Sequence, residues 1–110
     1  MGVTWGTNSN RRYYALQSAP LENLRFRGVY LIWQRTEQGG RRAIRSGSGV
    51  ISERLDDHYS TFGDGLFVTW ARIDVEWIRL GVERFLHNYY QPTHNERAPD
   101  VEPIEVDLPW

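Results

Sequence analysis

Four side chains stand out for the chemistry their types allow. Tyr30 lies in a run rich in β-branched and aromatic residues, Arg54 and His58 stand four apart in a helical pattern, and Glu83 lies beside the apolar stripe of a second helix. A phenol and an imidazole carry protons, a guanidinium fork suits phosphate, and a carboxylate suits a hard cation. Each also has a plainer reading. Arg54 and His58 fit a solvated helix face, Glu83 with Arg79 fits an i,i+4 surface pair, and Tyr30 fits ordinary strand packing. Asp56 and Asp57, next to His58, read as solvated acids rather than metal ligands, and His87 and His94 as polar-face and loop residues.

The elements that must hold these residues follow from periodicity. Residues 25–35 read as a strand, with Val29, Leu31 and Trp33 on one face and Tyr30 and Ile32 on the other. Turn chemistry at 36–40 and a second strand at 41–46 make an antiparallel hairpin, which Gly47-Ser48-Gly49 ends. A helix is expected over 50–60, with Ile51, Leu55 and Tyr59 recurring on its apolar face. A buried third strand follows at 66–73. Asp74 is placed to cap a longer helix whose stripe comprises Val75, Ile78, Val82, Phe85, Leu86 and Tyr89, and Pro92 stops it. Trp33, Trp70 and Trp77 are expected in the core. The class is therefore α/β (α+β), with a small three-stranded, mainly antiparallel sheet flanked by helices.

Composition sets the outer limits. The 110 residues allow one domain, and 40% hydrophobic content with five Trp and six Tyr is enough for a core. With no Cys, disulfides, thiolate zinc sites and thiol nucleophiles are excluded, and three scattered His do not make a zinc site. No stretch approaches the roughly 20 apolar residues of a membrane span, and the opening residues lack the apolar core of a signal peptide. The expectation is a soluble, intracellular, cytoplasmic protein. A net charge of −1 argues against a sequence-independent nucleic-acid coat. Residues 1–50, however, carry eight Arg against Glu22 and Glu37, and residues 51–110 carry five Arg against twelve acids. One half is thus suited to a phosphate backbone and the other to cations. All thirteen basic residues are Arg, which also fits a GC-rich coding bias.

Order and spacing add a family resemblance. Gly28-Val29-Tyr30 in the first strand resembles the first tripeptide of the GIY-YIG nucleases, and Arg45-Ser46-Gly47 sits where their second tripeptide closes the second strand. Arg54-Leu55 with His58 is similar to the family's helix bearing Arg and, four residues on, His or Tyr. Glu83, Pro92 and Asn95 resemble the ending found in the bacterial excision-repair incision nuclease. The resemblance spans residues 26–97, leaving 1–25 as an N-terminal extension packed on the domain and 98–110 as an extended tail. Two features depart from the pattern. Arg45 replaces the second Tyr, and the interval from Gly47 to Arg54 is one residue shorter than usual.

The resemblance implies a metal-dependent endonuclease that hydrolyses a phosphodiester bond, with DNA favoured over RNA. By that analogy Glu83 binds a single Mg²⁺ (or Mn²⁺) and Arg54 holds a non-bridging phosphate oxygen. Tyr30 holds or deprotonates the attacking water, His58 orients Tyr30 or shares the proton traffic, and Asn95 braces the site. Arg45 and Ser48 are further substrate contacts. A phenol of ordinary pKa about 10 is a poor base at neutral pH unless a cation such as Arg45 or Arg54 lowers it. Arg45 is then either a replacement phosphate clamp or a sign of lost catalysis. The rival expectations are a catalytically impaired nucleic-acid-binding domain and a protein-interaction module.

Overall fold

The computed structural model describes residues 1–95 and 97–110. It is α+β, and in chain order the elements are β1 (Tyr14–Ala15), two single-turn 3₁₀ segments, β2 (Arg27–Arg35), β3 (Arg41–Val50), α1 (Ile51–Phe62), β4 (Phe67–Arg72) and α2 (Glu76–Tyr90). The strands form an antiparallel sheet in the order β1-β4-β2-β3. The sheet thus has four strands rather than the expected three. The additional strand, β1, is two residues long and pairs Tyr14 with Val68 and Ala15 with Phe67. That is too short to leave an alternating pattern in sequence.

The hairpin is longer than its composition implies. β3 runs on through Gly47, Ser48 and Gly49, which pair with Tyr30, Val29 and Gly28. The glycines that look like a terminator are there for closeness. A Cβ on Gly28 would collide with the carbonyl oxygen of Ala71 in β4, so glycine lets three strands draw together at that point.

The two faces of β2 divide as the alternation predicts. Tyr30 and Ile32 join Ile51, Leu55 and Val68 in a core under α1, whereas Val29 packs with Val82 and Leu86 of α2, and Leu31 and Trp33 with Ala43. On α1 the third inward position is His58, 7% exposed, while Tyr59 is 39% exposed and donates its hydroxyl to Asp64. A helix of 3.6 residues per turn returns to its starting face at i+4 and i+7, and i+8 has rotated away. Several expectations for α2 are corrected for similar reasons. Trp77 is 70% exposed instead of buried, because it stands one residue off the stripe that starts at Ile78, and Val75 and Tyr89 are exposed at the helix ends. Val75, not Asp74, occupies the N-cap position and makes no side-chain cap bond; Asp74 pairs with Arg72 at 3.1 Å. Arg79 is not a surface partner of Glu83. It is buried, and its Nη1 donates to the carbonyls of Ile73 (3.0 Å) and Asp74 (3.2 Å), tying the helix to the end of β4.

The two chain ends complete the core under α2. Val106 is buried against Val82 and Leu86, with Val3, Trp5 and Ile104 around it. Val3 N–H and Trp5 Nε1–H donate to the side chain and backbone of Asp107, each at 2.8 Å. The tail crosses α2 at Gly81, whose carbonyl accepts from Ile104 N–H at 2.9 Å. No helix among the described residues is long and apolar enough to cross a membrane.

A Cβ on Gly81 would lie 2.5 Å from the Ile104 side chain. Helix propensity favours Gly81→Ala by about 1 kcal/mol, and overpacking opposes it by about 1–3 kcal/mol. The expected outcome in thermal or urea unfolding is net destabilisation on the order of 1 kcal/mol, and with Ile104→Ala added the combined loss should be smaller than the sum of the two single losses. A stabilised single variant would mean that the tail does not lie on α2.

Candidate active site at the sheet edge

Tyr30 is the centre of the site, and its surroundings explain why a phenol is tolerated in a core. It is fully buried in the central strand, and burying a hydroxyl is costly without partners. Its oxygen lies 2.6 Å from His58 Nε2. Directly across in β3 is Gly47, where a Cβ would stand 2.5 Å from that oxygen, so a residue with a side chain would displace the phenol. Arg54 and His58 reach it together from adjacent turns of α1, as their i,i+4 spacing requires. Arg54 also packs on Gly49, which at φ +134° adopts a conformation that favours glycine and would bring a Cβ within 3.2 Å of the Arg54 stem. Arg45, paired with Ile32 and therefore on the face that carries Tyr30, is 8% exposed and donates from Nη1 to the His94 carbonyl at 3.1 Å.

Burial dominates the electrostatics of the phenol. It raises the Tyr30 pKa above its ordinary value of 10.0, while the charges and hydrogen bonds of Arg54 and then Arg45 pull it the other way without overcoming the effect. The cations expected to make Tyr30 a base are in place, yet the net shift is upward. Tyr30 is therefore a protonated phenol at neutral pH. Because guanidinium groups only donate, the phenol oxygen accepts from them and its proton goes to His58 Nε2.

The second group of residues occupies the other face of β3. Ser46 and Ser48 alternate with Arg45 and Gly47, and Ser48 donates its hydroxyl to Glu83 Oε1 on α2. Asn95 links β3 to the same helix. Its Oδ1 accepts from Ser46 N–H at 2.9 Å, so its amide nitrogen must be the group that donates to His87 Nδ1. That fixes His87, when neutral, with its proton on Nε2. The preceding residues are stitched along the β-bulge at Ile32/Trp33, with His94 N–H donating to the Ile44 carbonyl (2.8 Å) and Thr93 N–H to that of Ala43 (3.2 Å).

The structure therefore gathers Tyr30, His58, Arg54 and Arg45 on one face of β3, and Glu83, Ser48 and Asn95 on the other. The two sets meet at the outer strand of the sheet, through the β3 backbone and the 93–95 loop. Asp56 and Asp57 are exposed on α1. No cluster of three or more His, Asp or Glu side chains suited to a metal occurs among the described residues. Glu83 with the Ser48 hydroxyl offers hard oxygen donors, which fits an ion that keeps most of its water, as Mg²⁺ does. Sequence reasoning missed His87 as a site residue, although its i,i+4 relation to Glu83 on α2 was the available signal. No family model matches this chain, and no significant match is found among curated proteins or solved structures.

A phenol whose pKa is raised by folding contributes stability that is fully present below the unfolded value and is lost as pH rises through the folded one. Tyr90, half-buried, is likewise pushed up to about 12. An alkaline titration followed at the phenolate absorbance is expected to show late-ionising tyrosines that release as the fold is lost above about pH 10. Tyr30→Phe should remove one of them. If the number of late ionisations is unchanged in Tyr30→Phe, the phenol is not buried as described.

Proposed function

We propose that this chain is a metal-dependent endonuclease of the GIY-YIG type, acting inside the cell on a phosphodiester bond of DNA, with RNA the second substrate to test. The observation that carries the reading is the Tyr30 hydroxyl set beneath Gly47 and ringed by His58, Arg54 and Arg45. It is supported by the strand-strand-helix-strand-helix order from β2 to α2.

In this reading a water attacks phosphorus, the bond to the leaving oxygen breaks, and a phosphate monoester and an alcohol result. Arg54 and Arg45 hold the non-bridging oxygens and neutralise the charge that builds there. Since burial keeps the phenol protonated, Tyr30 does not act as a free phenolate. Once substrate draws Arg54 and Arg45 from the phenol to the phosphate, the Tyr30 oxygen takes the water's proton while passing its own to His58 Nε2, so that no isolated phenolate or hydroxide has to form first; His58 returns a proton to solvent as the leaving oxygen takes one up. Asn95 holds the Ser46 peptide to α2 and thereby fixes Glu83 relative to the strand. Glu83, with Ser48, would hold Mg²⁺ or Mn²⁺, which supplies Lewis-acid stabilisation of the leaving oxygen. Arg45 here is a second phosphate clamp in place of the family's second Tyr.

One feature favours the alternative of a nucleic-acid-binding domain that has lost cleavage: an Arg at position 45 retains phosphate affinity without supplying a second phenol. Incubation with plasmid, single-stranded and branched DNA and with RNA separates the two, using Mg²⁺ or Mn²⁺ against EDTA. The expected result is metal-dependent cutting that falls about 10²–10³-fold in Glu83→Ala and in Arg54→Ala. Binding without cutting would support the impaired domain. No binding even at low salt, where the phosphate contribution is greatest, would favour a protein-interaction module.

A further inference from the structure

At the hairpin end of the sheet, remote from Tyr30 along β2, a cavity of about 450 Å³ is lined by Arg11, Arg12, Arg35 and Arg41 around Tyr13 and Trp33. Two of the four guanidinium groups are held by aromatic faces. Arg35 lies 5.0 Å from the Phe67 ring centre, and Arg41 lies over Tyr13, Trp33 and Trp110 at 5.7, 5.9 and 5.5 Å. Arg11 and Arg12 are presented by a turn closed on Asn8. The Asn8 side chain accepts from Asn10 and Arg12 N–H, and Arg11 takes φ +59°. A second cavity, of about 570 Å³, shares Arg41 and continues past Arg42 and Ala43 to Thr93. Thr93 precedes His94, whose carbonyl holds Arg45 beside Tyr30. No Asp or Glu side chain lines either cavity among the described residues.

We infer that these two cavities form a phosphodiester track in which Arg11, Arg12, Arg35, Arg41 and Arg42 grip the backbone of a nucleic-acid strand to one side of the Tyr30 site. The inference rests on the nucleic-acid part of the proposed function and not on cleavage. Five planar forks in cavities lined by no Asp or Glu side chain suit a row of phosphates, and the aromatic contacts fix Arg35 and Arg41 in advance so that less of their side-chain freedom is lost on binding. The length fits several nucleotides. Arg41 and Gly47 are six residues apart on β3, about 20 Å of strand, long enough for a few consecutive phosphates of a single strand. Because the track engages phosphate and the ring faces are covered by guanidinium groups, it grips without reading sequence.

The test is fluorescence anisotropy with labelled single-stranded DNA of about 4 and about 15 nucleotides over a range of salt, in EDTA so that nothing is cut. The wild-type chain should bind the long probe at least tenfold more tightly than the short one. In Arg35→Gln/Arg41→Gln that ratio should fall towards one, and the salt slope on the long probe should drop by about 1.4, at roughly 0.7 for each phosphate no longer neutralised. Arg41 packs on three rings, so Arg11→Gln/Arg12→Gln, in the exposed turn, provides a second variant with the same expected direction. A length ratio unchanged in both variants overturns the track and leaves the nucleic-acid reading standing. A wild-type chain that binds neither probe overturns both. Variants that lose binding to phosphatidylserine vesicles but keep the long probe would assign the patch to a membrane surface and overturn the inference.

Discussion

The close approach of β2 and β3 at Tyr30 and Gly47 is the constraint on which the rest of the structure depends. A buried phenol needs hydrogen-bond partners, and an unsatisfied one costs about 1–3 kcal/mol. His58 and Arg54 must therefore come from one helix and Arg45 from the neighbouring strand, and these requirements together fix where α1 sits. They also fix the register. A slip of one residue between β2 and β3 would replace Gly47 opposite Tyr30 by a residue with a side chain, and shifting β2 would turn Tyr30 away from α1. Gly28 imposes the same closeness on the β4 side of β2, since a Cβ there would strike the Ala71 carbonyl. Glycine in the two strands thus specifies separation rather than flexibility.

From that constraint follows a division of labour across the outer strand. Alternation along β3 sends Arg45 and Gly47 to the phenol and Ser46 and Ser48 to α2, so one short segment carries both the cationic and the acidic parts of the site. Asn95 and His87 then hold α2 against β3 with hydrogen bonds whose polarity is determined by the Ser46 peptide. The charge asymmetry of the sequence has a spatial counterpart. Six of the eight arginines of the first fifty residues line the hairpin end and the phenol, and Glu83, from the acidic half, comes in from the opposite face.

Much of this was legible in the sequence wherever periodicity or spacing carried the information. The two faces of β2, the hairpin, both helices and the order of site residues could all be read, because alternation and i,i+4 relations depend only on local geometry. What could not be read depends on tertiary contact. β1 is a strand only because β4 offers it an edge. Arg79 is inside because two carbonyls at the end of β4 await a donor, and Trp77 is outside because α2 turns a neighbouring stripe to the core. The direction of the Tyr30 shift also lay beyond the sequence, which reveals nearby cations but not how deeply the phenol is buried. The tail after Pro99 gave no periodic signal, yet Ile104 and Val106 help to close the core under α2.

The proposed endonuclease reaction requires Tyr30 and Glu83, on opposite faces of β3, to serve one phosphodiester. Crystals grown with Mn²⁺ and a short uncleavable oligonucleotide test it most directly, through anomalous scattering from the metal. The expected result is a Mn²⁺ peak at the Glu83 carboxylate with one phosphate within reach of both that ion and Arg54. A phosphate at Arg54 with no metal at Glu83, or a metal at Glu83 too remote to share a phosphate with Arg54, would contradict it.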